Sequence, residues 1–283
     1  MSAVLSSSVE SALGSPVREL CAIPGGDIND AYRATLTTGL PVFVKTRLRP
    51  PPGMYACEAD GLSWLAQAAS VRVPRVLAVR DDLLVLEWIE SGPRKTRFDE
   101  LLGRGLAELH RAGAPSFGHT RDNFIANLPQ ANAPLAGWSE FYRARRLEPL
   151  VERASSAGVL EAHDRAAFAR LYARLDELLG PSEPPARLHG DLWSGNVLAD
   201  QAGVPVLIDP AVYGGHREVD LAMLQLFGQP SARFFAAYDE AYPRADGHGE
   251  RVALYQLYPL LVHVCLFGRG YLAQLRGALG GYA

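Results

Sequence analysis

The chain has 283 residues, of which 48% are hydrophobic and 21% are charged. This length and composition are typical of one large globular domain or two smaller ones, and they exclude wholesale disorder. The 28 basic and 31 acidic side chains give a net charge of −3, so we expect no nucleic-acid partner. Only two of the basic residues are lysines, Lys45 and Lys95, which makes the position of each one informative.

The cysteines and the apolar tracts of the sequence indicate the cellular compartment of the protein. The three cysteines, Cys21, Cys57 and Cys265, are far apart and odd in number, which argues against a disulfide framework and a zinc site. The N-terminus lacks the basic and apolar pattern of a signal peptide. The most apolar tract, 257–268, is shorter than the roughly 20 residues that span a bilayer. We therefore expect a cytoplasmic protein with no membrane partner.

Short β-type runs predominate before residue 90. They are separated by turn signals such as Pro24-Gly25-Gly26 and Thr38-Gly39. The pattern predicts strands at 19–23, 31–36, 42–47, 76–79 and 83–89, and one helix at 55–69. Residues 1–90 are therefore predicted to form a small β-rich lobe.

The pattern becomes mostly helical beyond Ser91-Gly92-Pro93. Helices are predicted at 98–112, 138–154, 160–179, 220–227, 231–242 and 250–267, interrupted only by strand-like pieces at 197–198 and 206–208. Residues 91–283 are therefore predicted to form a larger, mainly helical lobe. The whole chain is predicted to be α+β, with a cleft between its two lobes.

The segment 189–196, which reads HGDLWSGN, carries the most chemical information. Asp191 and Asn196 lie five residues apart in a loop, and Asp209 ends the next strand. Phosphoryl transfer needs one carboxylate to orient the attacking hydroxyl and hard oxygen ligands to hold Mg²⁺. This spacing matches the catalytic loop and metal-binding aspartate of kinases. An Asp- and Asn-rich turn beside a hairpin is the simpler alternative.

Lys45 and Glu58 are predicted to form an ion pair. Lys45 shares one face of its strand with Phe43, because side chains alternate along a strand. Glu58 lies on the apolar stripe of the following helix, where a carboxylate is costly unless it is paired. A strand lysine paired with a helix glutamate contacts ATP phosphates in kinases. The alternative is that Glu58 reaches solvent from the edge of the stripe.

Two further segments are candidates for nucleotide contacts. Gly25 and Gly26 join the first two strands, and glycine backbone N–H groups can approach phosphate oxygens closely, although a plain hairpin uses the same residues. Glu87, Trp88 and Ile89 lie where the chain leaves the β-rich lobe. We expect the Glu87 carbonyl and the Ile89 N–H to face an adenine ring.

The sequence resembles the fructosamine kinase (ketosamine 3-kinase) family, a branch of the bilobal protein-kinase-like fold that includes aminoglycoside and choline kinases. The resemblance extends over nearly the whole chain. The matching segments include GGDIN at 25–29, VFVK at 42–45, EADGL at 58–62, LEWI at 86–89, NFI at 123–125, HGDLWSGN at 189–196 and IDPAVYGGHREVDLAM at 208–223.

The resemblance implies ATP- and Mg²⁺-dependent phosphorylation of a sugar hydroxyl on a ketosamine, either a small molecule or protein-bound. In this family the phosphorylated adduct decomposes, so the activity removes glycation. By the same resemblance Asp191 is the catalytic base, Asn196 and Asp209 are the Mg²⁺ ligands, and Lys45 is a phosphate contact. The amine, the sugar and the oligomeric state stay open.

Four other residues have supporting roles in this interpretation. Asp220 either caps a helix or braces the catalytic loop from below, and we favour the brace. His189 is expected to be a structural, hydrogen-bonding residue. Trp193 and His216 either line the acceptor pocket or are ordinary packing residues.

Three other functions have sequence arguments of their own. An aminoglycoside or choline phosphotransferase shares the catalytic residues, but residues 210–283 contain six acidic residues and six arginines and hence no acidic excess for a polycation. A nucleotide-binding pseudokinase would lack one of the catalytic residues, and all are present. A protein kinase would have D-F-G where this chain has Ile208-Asp209-Pro210.

Overall fold

The computed structural model of the chain describes residues 2–24, 29–228 and 230–282. Its N-terminal part contains a five-stranded antiparallel sheet in the order β1-β2-β3-β5-β4. The strands are β1 (Val17–Ile23), β2 (Asp30–Leu36), β3 (Pro41–Thr46), β4 (Val76–Val79) and β5 (Leu83–Glu87). All five predicted strands are confirmed, although β5 ends two residues earlier than predicted.

One helix covers each face of this sheet. They are α1 (Ser2–Leu13) and α2 (Met54–Ala66). Leu83 and Val85 of β5 belong to the apolar cluster beneath α1, whereas Leu84 and Leu86 pack with α2. Side chains on a strand alternate between faces, so a strand covered on both sides is apolar throughout. The same alternation places Lys45 of β3 on the α2 side.

The C-terminal part is mainly helical, with three two-stranded sheets. Its elements are α3 (Phe98–Arg111), β6 (Asn123–Ile125), β7 (Leu128–Gln130), α4 (Trp138–Phe141), α5 (Glu148–Ser156), α6 (Ala162–Ala173), α7 (Leu175–Leu178), β8 (Ala186–Leu188), β9 (Val197–Ala199), β10 (Pro205–Leu207), β11 (Tyr213–Gly215), α8 (Glu218–Phe227), α9 (Ala232–Ala241), α10 (His248–Phe267) and α11 (Leu272–Leu279). A π-helical turn joins α4 to α5, so the helix predicted at 138–154 is continuous but widened in its middle.

The sequence missed several elements of the fold. The expectation of only two strand-like pieces beyond residue 90 is wrong, because β6, β7, β8 and β11 are also present. Each has three residues, too few to show an alternating pattern. Helix α1 was also missed, because its serine-rich sequence carries a weak apolar stripe around the buried Val9.

Helix α10 is the apolar centre of the C-terminal part. Together with α11 it forms a helical stretch, His248–Leu279, that by length and composition could cross a membrane, and it is the single such stretch among the described residues. More than half of its most apolar window is buried inside the protein, where residues such as Leu257, Leu260 and Leu261 form the core. The apolar helical stretch is therefore longer than the tract 257–268 that the sequence singled out. Core packing accounts for the apolar sequence of the helix.

Candidate active site

A cavity of about 430 Å³ lies between the sheet and the helical part. Its walls come from β3, α2, the β6–β7 hairpin, the loop 189–196 and the segment after β10. The polar and aromatic residues that line it include Asn29, Lys45, Glu58, Asn123, Phe124, Asp191, Trp193, Asn196 and Asp209. The fold therefore brings five of the residues singled out for phosphoryl transfer, namely Lys45, Glu58, Asp191, Asn196 and Asp209, to one cavity.

Lys45 is held between two carboxylates. Its Nζ lies 2.8 Å from Glu58 Oε2 and 3.0 Å from Asp209 Oδ1, so the predicted ion pair with Glu58 is present. Burial by itself lowers the pKa of Lys45, but the charges of Asp209 and Glu58 outweigh it and hold the pKa above its ordinary value. Burial raises the pKa of the Glu58 carboxyl, and Lys45 opposes that rise. The Lys45 ammonium therefore stays charged in the cavity.

Asp191 and Asn196 are joined at the floor of the cavity. Asn196 Nδ2 donates hydrogen bonds to the Asp191 carbonyl, at 2.8 Å, and to Asp191 Oδ2, at 3.1 Å. Burial, followed by the negative charge of Asp209, raises the pKa of Asp191 to about 7. A carboxylate with its pKa near neutrality is suited to accepting a proton from a reacting hydroxyl.

The β9–β10 hairpin connects the two metal-ligand candidates. Asn196 directly precedes β9, and Asp209 follows β10 by two residues. The Ile208 N–H donates to the Asn196 carbonyl at 3.1 Å, which keeps the two ends of the hairpin together. Asp209 has a φ of 54°, a left-handed conformation that is uncommon outside glycine. Strained backbone of this kind is typical of functional sites.

Asp220 braces the loop 189–196 from α8. Its Oδ2 accepts the His189 N–H at 2.7 Å and its Oδ1 accepts the Gly190 N–H at 2.9 Å, while His110 Nε2 contacts it at 3.2 Å. Gly190 has a φ of 82°, and a Cβ there would lie 2.0 Å from the Ala211 carbonyl oxygen. The loop therefore needs glycine at this position, and Asp220 has the bracing geometry that the family resemblance implied.

His189 links the loop to the end of β10. Its Nε2 donates to the Ile208 carbonyl at 3.0 Å, and its Nδ1 accepts the Asp191 N–H at 3.3 Å. The side chain is buried, and burial lowers its pKa. A neutral ring with both nitrogens hydrogen-bonded fits the structural role expected from the sequence.

The nucleotide-base candidates lie away from this cavity. Glu87, Trp88 and Ile89 are not among its lining residues, and the Glu87 carboxylate points to Arg72 and Arg75. Within the described parts of the chain, no backbone or side-chain acceptor takes the Ile89 N–H. Gly25 and Gly26 lie outside the described residues.

The two acceptor-pocket candidates differ. Trp193 lines the cavity, and the residue is 39% exposed. His216 does not line it: the residue is 2% exposed and its ring stacks on Tyr255 at 5.2 Å. The structure therefore places His216 in the helical core, because the chain turns into α8 directly after β11.

The β6–β7 hairpin contributes cavity residues that the sequence reasoning did not assign. Asn123 and Phe124 line the cavity from this hairpin. Asn123 Nδ2 donates to the Val212 carbonyl at 2.9 Å, and Gln130 Nε2 donates to the Ala211 carbonyl at 3.1 Å. These bonds fix the hairpin against the segment that follows Asp209. The only available signal was the segment Asn123-Phe124-Ile125, which resembles the family pattern but suggests no function by itself.

The oxygen atoms around Asp209 suit a hard cation. The Nδ2 group of Asn196 donates to Asp191, and no described residue donates a hydrogen bond to the Oδ1 atom of Asn196. The Asp209 side chain is 42% exposed toward the cavity. Carboxylate and amide oxygens are ligands that Mg²⁺ accepts, and it retains water at its other positions. The residues present therefore fit Mg²⁺.

Comparisons with known proteins agree with this geometry. The sequence model of the fructosamine kinase family matches residues 1–281. A "probable ketoamine kinase" of Enterococcus faecium is 38% identical over 258 residues, which cover 89% of this chain and 91% of the relative. A chloroplastic protein-ribulosamine 3-kinase of rice is 36% identical over 273 residues, covering 92% of this chain and 77% of the relative. A crystal structure of a "putative fructosamine-3-kinase" from Thermobifida fusca has a TM-score of 0.93 and 41% identity, covering 98% of each chain.

The fold is the bilobal α+β fold of the protein-kinase-like phosphotransferases. The chain belongs to the fructosamine kinase family. As a member of that family it is a phosphotransferase with a hydroxyl group as acceptor. The family resemblance and the fold class expected from the sequence are both confirmed.

Proposed function

We propose that the protein transfers the γ-phosphoryl group of ATP, with Mg²⁺, to the 3-hydroxyl of a ketosamine and so promotes removal of the glycation adduct. The observation that carries this proposal is the convergence of Lys45, Asp191, Asn196 and Asp209 on one cavity. The names of the rice and Thermobifida relatives support the ketosamine acceptor and the position of transfer.

Asp191 orients the acceptor hydroxyl. Its carboxylate lies in the cavity, and its hydrogen bonds with Asn196 hold it in place. In a loose phosphoryl-transfer transition state the hydroxyl proton leaves late, so orientation contributes more than strong basicity. The raised pKa of Asp191 allows the carboxylate to accept that proton near neutral pH.

Lys45 contacts the phosphates, and Glu58 keeps its ammonium directed into the cavity. Asn196 and Asp209 are the residues that would hold Mg²⁺. The ion would neutralise the negative charge of the phosphate oxygens and of the nearby carboxylates. Asp209 pairs with Lys45 at 3.0 Å, so the residue proposed for the metal and the residue proposed for the phosphate are already neighbours.

The adenine ring is proposed to lie against the linker that follows β5. Its partners there are the Glu87 carbonyl and the Ile89 N–H. No described residue accepts a hydrogen bond from the Ile89 N–H, which supports this assignment.

The acceptor sugar is proposed to lie beside Trp193 and Phe124. Both residues line the cavity that contains Asp191. An aromatic face suits the C–H surface of a sugar, while neighbouring polar groups orient its hydroxyls.

The test is ATP-dependent phosphate transfer, followed by ³¹P NMR of the product. The acceptors are free fructosamine, free ribulosamine, a glycated protein, choline and an aminoglycoside, each with Mg²⁺ and with a chelator. We expect Mg²⁺-dependent phosphorylation of at least one ketosamine at its 3-hydroxyl. Turnover of choline or the aminoglycoside, with none of the ketosamines, would overturn the proposed acceptor.

A further inference from the structure

Arg72 lies in the loop between α2 and β4 and contacts two carboxylates from different parts of the fold. Its Nη2 lies 2.7 Å from Glu87 Oε1, at the end of β5. Its Nη1 lies 2.7 Å from Asp200 Oδ2, in the turn between β9 and β10. A guanidinium group is planar and presents several N–H donors in a fixed fork, so it can join two carboxylates in a defined geometry.

Backbone contacts surround this side-chain bridge. The Leu207 N–H donates to the Arg72 carbonyl at 2.9 Å, which attaches the loop to β10. The Gly92 N–H donates to the Ala199 carbonyl, also at 2.9 Å. A Cβ on Gly92 would lie 2.7 Å from the Asp200 carbonyl oxygen, so the two chains cross in close contact. Arg72 therefore lies where the linker after β5 meets the β9–β10 hairpin.

The two carboxylates belong to segments that carry opposite ends of the proposed nucleotide site. Glu87 begins the linker that contains Ile89, the proposed adenine partner. Asp200 lies at the turn of the hairpin that starts after Asn196 and ends just before Asp209, the proposed Mg²⁺ ligands. The distance between the adenine site and the metal site therefore depends on how the linker and the hairpin are joined.

We propose that Arg72 is a positioning residue that sets the spacing between the adenine-binding linker and the metal-binding hairpin, so that a nucleotide can occupy both at once. This inference rests on the proposed function, because it assigns the two ends of the nucleotide to those segments. Arg72 touches neither end, and it acts by holding Glu87 and Asp200 together.

The energetics predict a moderate, specific effect. The Arg72 side chain is 39% exposed, and single exposed ion pairs contribute little to stability. A nucleotide that binds at both ends gains affinity when the two subsites are held at the correct separation in advance. Loosening the bridge therefore affects ligands that span both subsites and spares ligands that use one.

The test compares Arg72→Gln with Arg75→Gln by calorimetric titration of adenosine and of Mg·ADP. Arg75 is a matched control, since it contacts Glu87 at 3.4 Å but is 78% exposed and makes no contact with Asp200. For Arg72→Gln we expect Mg·ADP binding about 5- to 20-fold weaker, with adenosine binding changed less than about twofold. Arg75→Gln should change neither by more than about twofold.

A double-mutant cycle identifies the partner. Asp200→Asn keeps an oxygen for the Val204 N–H, which Asp200 Oδ1 accepts at 2.9 Å, so the turn should be preserved. The double variant should bind Mg·ADP no more weakly than Arg72→Gln alone, because both changes break one bridge. Additive losses would mean that the two residues act separately, and they would overturn the proposal.

Hydrogen exchange tests the bridge without any nucleotide. In Arg72→Gln the amides of Gly92 and Leu207 should exchange about tenfold faster than in the wild type, and in Arg75→Gln they should not. If Arg72→Gln lost adenosine and Mg·ADP affinity equally, or kept its Mg·ADP affinity, the proposed role of Arg72 would be wrong and the proposed function would still stand. Failure of the wild-type protein to bind Mg·ADP would instead overturn the proposed function.

Discussion

Lys45 Nζ lies 3.0 Å from Asp209 Oδ1, and this ion pair connects the β-rich lobe to the end of β10. The same ammonium lies 2.8 Å from Glu58, so one cation balances two carboxylates. A bound nucleotide and its metal ion would replace the ion pair between Lys45 and Asp209 with new contacts. The phosphates would offer Lys45 new negative oxygens, and the cation would offer Asp209 a new positive partner.

Lys45→Arg should impair ATP use although it preserves the charge. A guanidinium is broad and planar, so it cannot place one point charge between Glu58, Asp209 and a phosphate. We expect kcat/KM for ATP to fall at least about tenfold, a loss of about 1.4 kcal/mol in transition-state stabilisation. Steady-state kinetics with varied ATP measure this.

The matched control for that change is Lys95→Arg. Lys95 is the second lysine of the chain and is exposed, so its replacement should leave the kinetics unchanged. Near-wild-type kinetics for Lys45→Arg would show that the compact ammonium is not required.

Asp191→Asn should lower turnover by orders of magnitude and stabilise the fold. The variant keeps the shape of the side chain but cannot accept a proton, so we expect kcat to fall about 10²- to 10⁴-fold with Mg·ADP binding retained. At pH 8 the Asp191 side chain of the wild type is ionised, and both burial and the negative charge of Asp209 disfavour this ionised form. Its replacement should raise the free energy of unfolding by about 1 kcal/mol once solvent screening is allowed for.

Single-turnover kinetics and denaturant unfolding at pH 8 separate the two effects. Asp122→Asn is a suitable control, because Asp122 is exposed and does not line the catalytic cavity. If Asp191→Asn retained turnover, another group would have to orient the acceptor. If it lost stability instead, the carboxylate would be favourably placed in the free protein.

The sequence predicted the residues of the candidate active site better than the segments around them. Lys45, Asp191, Asn196 and Asp209 are polar residues in strongly patterned segments, and the chemistry of phosphoryl transfer restricts their types and spacing. Asn123 and Phe124 are different, because their strand has three residues and its function depends on which distant segment it packs against. The contacts of Arg72 were also missed, since its two carboxylate partners lie 15 and 128 residues away in the sequence.

The same distinction holds for the fold. The five strands of the N-terminal sheet were predicted because alternation and turn residues are local signals. The three-residue strands β8 and β11 were not, because they are stabilised by pairing between segments 25 residues apart, such as Tyr213 with Leu188. Tertiary contacts decide such elements, and local propensity does not reveal them.

Trp193→Ala should weaken acceptor binding and spare nucleotide binding. The indole lines the cavity and remains 39% exposed, so it offers a face to the sugar. We expect KM for the ketosamine to rise about tenfold, with KM for ATP changed less than about twofold. Trp193→Phe keeps an aromatic face and should recover most of the loss. A rise in KM for ATP alone would place Trp193 at the nucleotide.

His216→Phe should leave catalysis unchanged and reduce the sensitivity of the fold to acid. His216 is buried, stacks on Tyr255 and does not line the cavity, so kcat and both KM values should stay within about twofold of the wild type. A raised KM for the ketosamine would show that His216 does belong to the acceptor pocket.

The acid sensitivity follows from the pKa of His216. Burial lowers the pKa of the His216 ring. The carboxylates of Glu218 and Glu183 raise this pKa, whereas the positive charges of Arg217 and Arg251 lower it further. The unfolded chain takes up the proton below a pKa of about 6.5, while the folded ring stays neutral. Protons therefore favour the unfolded state, and wild-type stability from this group is present above pH 6.5 and is lost as the pH falls below it.

His216→Phe removes that proton uptake and keeps an aromatic ring against Tyr255. As the pH falls from 7.5 to 5.5, the free energy of unfolding of the variant should therefore rise relative to that of the wild type. The gain should be at most about 1.4 kcal/mol per pH unit. Urea unfolding at several pH values measures the shift, and the exposed His163 provides the control variant His163→Phe. A pH-independent difference would mean that His216 takes up its proton over the same pH range in the folded and unfolded chains, with Glu183 and Glu218 cancelling the effect of burial.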